Sequence, residues 1–267
     1  MTDLETAASR DLLAWIGRVT VSAWTQYTTR SGGRVVADRG LTYLVGSHPT
    51  PIIINTVFRT DAAVAPSDVF ARSRAFYRSI GHGFALLTSD YSDQDLNTAA
   101  EAAGWQMAIE LPVMVCRSVL PDLPLPPGAS VRRADPLRDS VPFRAVVRDG
   151  FASDGDEIAA VETVFSSSAA LDAQDTIGVI ASIDGVDAAA ALVNVIDGMG
   201  YVGWVGTVPE YRRRGLGDAV SRAATNAGFE LGARIVALEA SPMGLPLYAK
   251  MGYETLAIDR IWLPPAD

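Results

Sequence analysis

The stretch PEYRRRGLGDAV, residues 209–220, sets Arg212, Arg213 and Arg214 against Gly215 and Gly217 at the start of a helical pattern, in a chain of formal net charge -9. The first turn of a helix leaves backbone N–H groups unpaired and carries partial positive charge. Glycine reaches dihedrals closed to other residues and presents no Cβ to an approaching ligand. Arginine adds charge-assisted hydrogen bonds that suit phosphate oxygens. Together, residues Arg212, Arg213, Arg214, Gly215, Leu216, Gly217 and Asp218 read as a pyrophosphate cradle. The stretch is not a P-loop, because no Gly-Lys-Ser/Thr follows, and its glycine spacing is not that of a dinucleotide fingerprint. The competing reading is a turn at Gly215 flanked by solvated arginines.

The rest of the composition narrows what the cradle holds. An acidic chain argues against nucleic acid and anionic membranes as partners, since both need a broad basic face. A small anion is the better match. Cys116 is the only cysteine and His48 and His82 the only histidines. That excludes an intramolecular disulfide and leaves few parts for a metal centre or a Ser-His-Asp triad, so no metal is expected. Hydrophobic residues make up 49% of the 267, ample for a buried core. The opening MTDLETAASRDLLAWIG lacks the basic-then-apolar pattern of a secretion signal, and no apolar run reaches the roughly 18 residues of a membrane span. A cytoplasmic protein is the expectation.

The elements that must position the cradle fall into two halves. LPDLPLPPG, residues 120–128, is a semi-rigid extended connector. It suggests domains at 1–125 and 126–267. In the second half a short strand (ASVRR) is followed by helical patterns near 138–150 and 156–171. Two strands around Asp184-Gly185 come next, then a fourth strand (MGYVGWVGTV), a helix from about 215 to 231, a buried strand (RIVALEA), a short helix ending at Gly252 and two closing strands. The first half repeats the later part of this order: strand TPIIINTVFRT, helix from Pro66 to Gly81, strand GFALLTS, helix DQDLNTAAEAAG and a closing pair in WQMAIELPVMVCR. Shifted by 148 positions, Gly104-Trp105 falls on Gly252-Tyr253. This reads as a diverged internal duplication; two unrelated domains sharing an element order is the alternative. A helix around Leu4–Tyr27 has no counterpart in the second half.

At this point the sequence resembles the GNAT superfamily of acyl-CoA N-acyltransferases. That family's Arg/Gln-x-x-Gly-x-Gly/Ala motif is matched by Arg212 to Gly217, with Pro209 three residues ahead. A second family block is matched by SPMGLPLYAKMGY, residues 241–253, in Leu247, Tyr248, Gly252 and Tyr253, while Ser241 stands for the usual asparagine and Gly244 for alanine. The likeness is strong over 129–267, and the first half looks like a degenerate copy, giving a tandem GNAT. The implied fold is α/β (α+β), two GNAT-like domains each with a mixed, mostly antiparallel twisted sheet flanked by helices.

The resemblance implies acetyl-CoA as acyl donor. Its pantetheine arm would pair with Val205, Gly206 and Thr207, its pyrophosphate would lie in the cradle, and Ser241 would border the site. A backbone N–H near Val205 would polarise the thioester carbonyl. A primary amine of a small acceptor would attack directly in a ternary complex, with Tyr248 as general acid to the leaving thiolate. Many relatives carry a glutamate on the strand before the loop, and Tyr201-Val202-Gly203-Trp204-Val205 has no acid. Glu239 is then the candidate base, directly or through water, against a buried structural role. Asp154, Asp156 and Glu157 lie where the acceptor pocket is usually lined.

Two other readings stay open: a non-catalytic acyl-CoA-binding regulatory module, and a structural interaction protein. In the first half the counterpart of the cradle, Val64 to Val69, has no glycine or arginine, and Ala100 replaces Tyr248. One CoA site per chain is therefore expected, with the first half serving packing, dimerisation or one wall of the acceptor pocket.

Overall fold

The computed structural model describes residues 3–151 and 155–266. A long helix α1 (Asp3–Arg30) leads into strands β1 (Arg34–Asp38), β2 (Leu41–Val45) and β3 (Thr56–Arg59), then α2 (Pro66–Ile80), β4 (Ala85–Ser89), α3 (Gln94–Ala102) and β5 (Gln106–Cys116). After the proline-rich connector come β6 (Ala129–Arg133), α4 (Pro136–Phe151), α5 (Gly155–Val164), β7 (Thr176–Ile183), β8 (Val186–Ile196) and β9 (Met199–Thr207). The chain closes with α6 (Leu216–Glu230), β10 (Ile235–Glu239), α7 (Leu245–Met251) and β11 (Glu254–Leu263).

Local chemistry explains the punctuation. Pro66 opens α2 with its φ already helical, and Gly81 ends it in the left-handed region at φ 70°. The β1–β2 turn has Arg39 at φ 38° and Gly40 at φ 81°, both positive, as a tight hairpin with right-handed strand twist requires.

All eleven strands join one mixed sheet in the order β1-β2-β3-β4-β11-β5-β10-β9-β8-β7-β6. Among the described residues only the β3–β4 and β9–β10 pairs are parallel. The sheet is continuous across the connector because the final strand of each half is exchanged: β5 pairs with β10 of the second half, and β11 pairs with β4 of the first. Trp262 of β11 is accordingly buried in the first half, where its Nε1 donates to Thr88 Oγ1 at 3.0 Å and Asn97 Oδ1 at 3.1 Å.

Several sequence expectations change. The closing pair expected in 105–117 is the single strand β5, and the two closing strands after Gly252 are the single strand β11. The two strands pair with each other along their whole length, and the irregularities at Thr255–Ala257 and Ile261–Trp262 bend β11 without ending it. The hairpin β1–β2 was not anticipated. The helix expected over 156–171 ends at Val164, and a short 3-10 turn follows at Ser168–Ala170.

The faces of the sheet are covered differently. On one face α1, α4 and α5 bury Trp24, Phe58, Phe143, Leu192 and Trp204 in a core that runs through both halves. On the other, α6 and α7 bury Val193, Val220, Val236 and Tyr248, while α2 and α3 bury Val69, Tyr77, Leu86 and Trp262. Each large side chain contributes roughly 1.5–3 kcal/mol by leaving water. Helix α1 packs on β1 and β2 and also on β8 and β9, so it braces both halves.

Candidate active site

The site grows from a split in the sheet. The parallel ladder of β9 and β10 runs from Met199 with Ile235 to Val202 with Leu238, and there it stops. Beyond it β9 stays bonded to β8 alone, through a bulge: Leu192 faces Gly203 and Ala190 faces Gly206, so Trp204 and Val205 stand against Ala191. Trp204 takes φ 54°, a left-handed conformation that costs a bulky residue about 1–3 kcal/mol. The cost is offset by packing, with ring centroids of Tyr27 at 5.5 Å, Phe165 at 5.2 Å and Phe151 at 5.9 Å. The parting from β10 leaves Val205, Gly206 and Thr207 with no strand partner on the side away from β8.

The arginine-glycine loop follows this edge. Arg212 turns inward: its Nε donates to Thr207 O at 3.1 Å and its Nη2 to Gly150 O at 3.0 Å. It ties the loop to the end of β9 and to α4. Gly150 permits the approach, since a Cβ there would lie 2.7 Å from Thr207 N. Arg213 at φ 58° and Gly215 at φ 82° bend the backbone around Arg214. Arg213 and Arg214 are exposed, and the Arg214 guanidinium lies 5.4 Å from the Tyr211 ring centroid. Helix α6 begins without a side-chain cap, and Ala219 N, bonded to Gly215 O at 3.0 Å, belongs to its first closed turn. The N–H groups of Leu216, Gly217 and Asp218 therefore point past the helix end. Leu216 itself is buried, and the Asp218 carboxylate is engaged by Arg222 at 2.7 Å, which offsets a negative charge that would repel phosphate.

Tyr248 and Glu239 lie on opposite faces of the sheet, Glu239 next to the last β9–β10 pair. Tyr248 is buried on the α6 face beside Tyr253, ring centroids 5.8 Å apart, and burial pushes its phenol up to about 12. Ser241 is exposed and caps the turn before α7, its Oγ accepting from Gly244 N at 3.1 Å. Glu239 ends β10 and points to the α1 face, as strand alternation requires after Ala237. It accepts from Trp24 Nε1 at 3.3 Å and from the Tyr201 hydroxyl, while Trp24 Nε1 also donates to Tyr201 at 3.1 Å. Burial pushes the Glu239 carboxyl up. Asp259 of β11 reaches it and is raised strongly, first by burial and then by the charge of Glu239. Burial of both carboxyls and the charge of Glu239 on Asp259 favour a proton on this pair.

Trp24, the Trp204 bulge and Asp259 escaped the reading of the sequence. Asp259 left a signal: an acid inside the apolar strand LAIDRIWL must be paired or neutralised. Trp24 left none, since a helix brings it 215 positions along the chain to Glu239. Of the three acids assigned to the acceptor pocket, Asp154 lies outside the described residues, and Asp156 and Glu157 fall in the first turn of α5. Among the described residues no group of three or more His, Cys, Asp or Glu side chains is placed to hold a metal ion.

Comparison with known proteins gives the arrangement a context. Residues 141–256 match the acetyltransferase (GNAT) domain family. No curated protein matches the chain. A GCN5-related N-acetyltransferase from Kribbella flavida superposes with a TM-score of 0.71 at 22% identity, over 92% of this chain and 94% of that one. One from Sphaerobacter thermophilus gives a TM-score of 0.63 at 15% identity, over 85% and 78%. A tandem GNAT protein from the clavulanic acid biosynthesis pathway gives 0.56 at 14% identity, over 85% and 79%.

Proposed function

We propose, for a chain whose residues 141–256 match the acetyltransferase (GNAT) domain family, the transfer of an acetyl group from acetyl-CoA to a primary amine of a small acceptor by direct attack in a ternary complex. One observation carries this reading: Tyr248 is a buried phenol on the α6 face of the sheet, and Glu239, on the opposite face, is a part-buried carboxyl at the point where β9 and β10 part. A thioester lying in the split would have a proton donor on one side and a proton acceptor on the other.

The residues suit the donor. The unpaired edge of Val205 to Thr207 offers strand-like hydrogen bonds to an extended amide-bearing arm, and the first-turn N–H groups of α6 with Arg213 and Arg214 offer them to phosphate. Arg212 contributes by fixing the loop through Thr207 and Gly150 rather than by pointing outward. Acetyl-CoA supplies the activated acyl group. The chain then supplies a backbone N–H near Val205 to the acyl oxygen, Glu239 to take the amine proton, and the Tyr248 hydroxyl to donate toward sulfur. Glu239 is held by Trp24 and Tyr201, and burial raises its carboxyl, so in its ionised form it is the stronger base toward the amine proton.

The chain-level proposal is a tandem arrangement, with the acyl donor in 126–267 and 1–125 as a degenerate copy. The test is thiol release from acetyl-CoA over a panel of primary amines. Amine-dependent release that fails in Tyr248→Phe supports the transferase. Tight acetyl-CoA binding with no release for any amine supports a non-catalytic acyl-CoA-binding module instead.

A further inference from the structure

A second opening lies in the first half. The ladder of β3 and β4 ends at Phe58 with Leu87, and a cavity of about 470 Å³ begins there beneath α1. It occupies the place in the β3–β4 pair that the split occupies in β9–β10, the other parallel pair. Leu13, Ile16, Phe58 and Leu87 make its walls apolar. Four buried polar residues line it: Asp259, Thr20 and Ser89, at 5%, 2% and 8% exposure, and Asp93, which is held by Arg59. Thr20 Oγ1 makes no hydrogen bond within the protein, while the Ser89 hydroxyl is directed at the Asp259 carboxyl. A buried hydroxyl is normally bonded, so Thr20 marks a contact that something else completes. An apolar pocket with a few convergent polar groups is the anatomy of a small-ligand site.

The chemistry of the ligand follows from what the groups lack. A carboxylate and two hydroxyl oxygens accept three hydrogen bonds, and a primary ammonium group has three N–H donors and no acceptor. The charges facing Asp259 agree. Glu239 stands beside it from β10, Asp90 just beyond β4, and Tyr91 and Asp93 further along that loop. The cations nearby are Arg18 on α1, which is exposed at the rim, and Arg59 on β3, held by Asp93 at 2.9 Å and Asp95 at 2.6 Å. An anion would meet the unmatched carboxyls on the floor. We propose that this cavity binds a small organic cation, a primary ammonium group on an apolar body, with Asp259, Thr20 and Ser89 receiving the ammonium hydrogens.

Binding carries a proton balance. Asp259 holds a proton with Glu239, and the entering R–NH₃⁺ leaves Asp259 as a carboxylate paired with the ammonium. The displaced proton goes to solvent, one per ligand bound. Over the range where the pair is protonated and the amine charged, affinity rises about tenfold per pH unit. Because Asp259 touches Glu239, binding is read by titration with no acetyl-CoA present and not by turnover.

The experiment is calorimetric titration of the full chain with 2-cyclohexylethylamine, at several pH values and in two buffers of different ionisation enthalpy, against 2-cyclohexylethanol as the uncharged match in shape. The expected result is one amine per chain, affinity rising with pH, and one proton released. Asp259→Asn is expected to weaken the amine at least about tenfold and to remove the pH slope. Ala14→Trp, which fills the cavity from α1, abolishes binding without touching the carboxyl pair. Absence of saturable amine binding overturns the proposal. So does an alcohol that binds as tightly as the amine, or amine affinity unchanged in a folded Ala14→Trp protein.

Discussion

A Cβ on Gly244 would stand 2.8 Å from Cε2 of Tyr248: the glycine is the space that the phenol ring fills. Its own backbone, at φ -80°, is open to alanine, so Gly244→Ala acts through the ring alone. The added methyl pushes the hydroxyl away from the split. We expect turnover to fall by about tenfold or more, because a small misplacement of a proton donor is costly. Affinity for acetyl-CoA by calorimetry should hold. Unchanged turnover would mean that the ring position is immaterial.

Tyr248→Phe removes the proton and keeps the ring. Turnover should drop about 10²–10⁴-fold, the range of a positioned acid or base. Burial lifts this phenol to about 12, so it stays protonated as pH rises through 10. The wild-type kcat profile should therefore show no loss from phenol ionisation near pH 10. A descending limb there that disappears in Tyr248→Phe would contradict the assignment.

The carboxyl pair predicts how stability responds to pH. Both Glu239 and Asp259 are raised in the folded state, so between their unfolded values, about 4, and the folded ones the native chain binds more protons. Their contribution is fully present below that range and is lost as pH rises through the folded values, by at most about 1.4 kcal/mol per pH unit for each proton. Urea unfolding at pH 5 and pH 8 should show a decline in the wild type and a flatter response in Asp259→Asn. Parallel responses would remove the shared proton from the account.

The three arginines should separate by role. Arg214→Ala removes an exposed charge and should weaken acetyl-CoA about three- to tenfold, less at high salt, with the melting temperature held. Arg212→Ala breaks two bonds to backbone oxygens, at Thr207 and Gly150, and should lower the melting temperature as well as the affinity. Equal thermal stability for the two variants would place Arg212 outside the scaffold.

One acetyl-CoA per chain is the expected stoichiometry. In the first half α2 opens on Ala65 and Pro66 with Asp68 in its first turn, and a bare helix end offers an anion only about 0.3–1 kcal/mol. Two equivalents bound in a titration of the full chain would refute this.

What was legible in the sequence was local. Helix α6, strand β10 and helix α7 stand where the glycines, prolines and apolar periods put them, because each carries its own start and stop signals. The β1–β2 hairpin hid behind Arg39, a residue that seldom takes the positive φ of such a turn. The offset between the halves also shifts along the chain. Helices α2 and α6 begin at 66 and 216, but β5 and β11 at 106 and 254, so a single 148-residue shift misplaces the loops by two. The exchange of β5 and β11 left no trace, since both strands have the same pattern and their choice of neighbour is made between residues far apart. The proton network at Glu239 was illegible for the same reason: Trp24, Tyr201 and Asp259 come from three separate stretches.

The exchanged strands also bear on how the chain is made. Strand β4 is synthesised long before β11, which sits beside it and carries Trp262 into its core. At about 5–20 residues per second, the first half waits on the order of ten seconds or more with that slot empty and β5 without its partner β10. An open edge flanked by apolar side chains is what recruits other chains. Newly made protein should thus depend on chaperones until the last dozen residues emerge, and truncations near the C-terminus should aggregate rather than yield a folded first half.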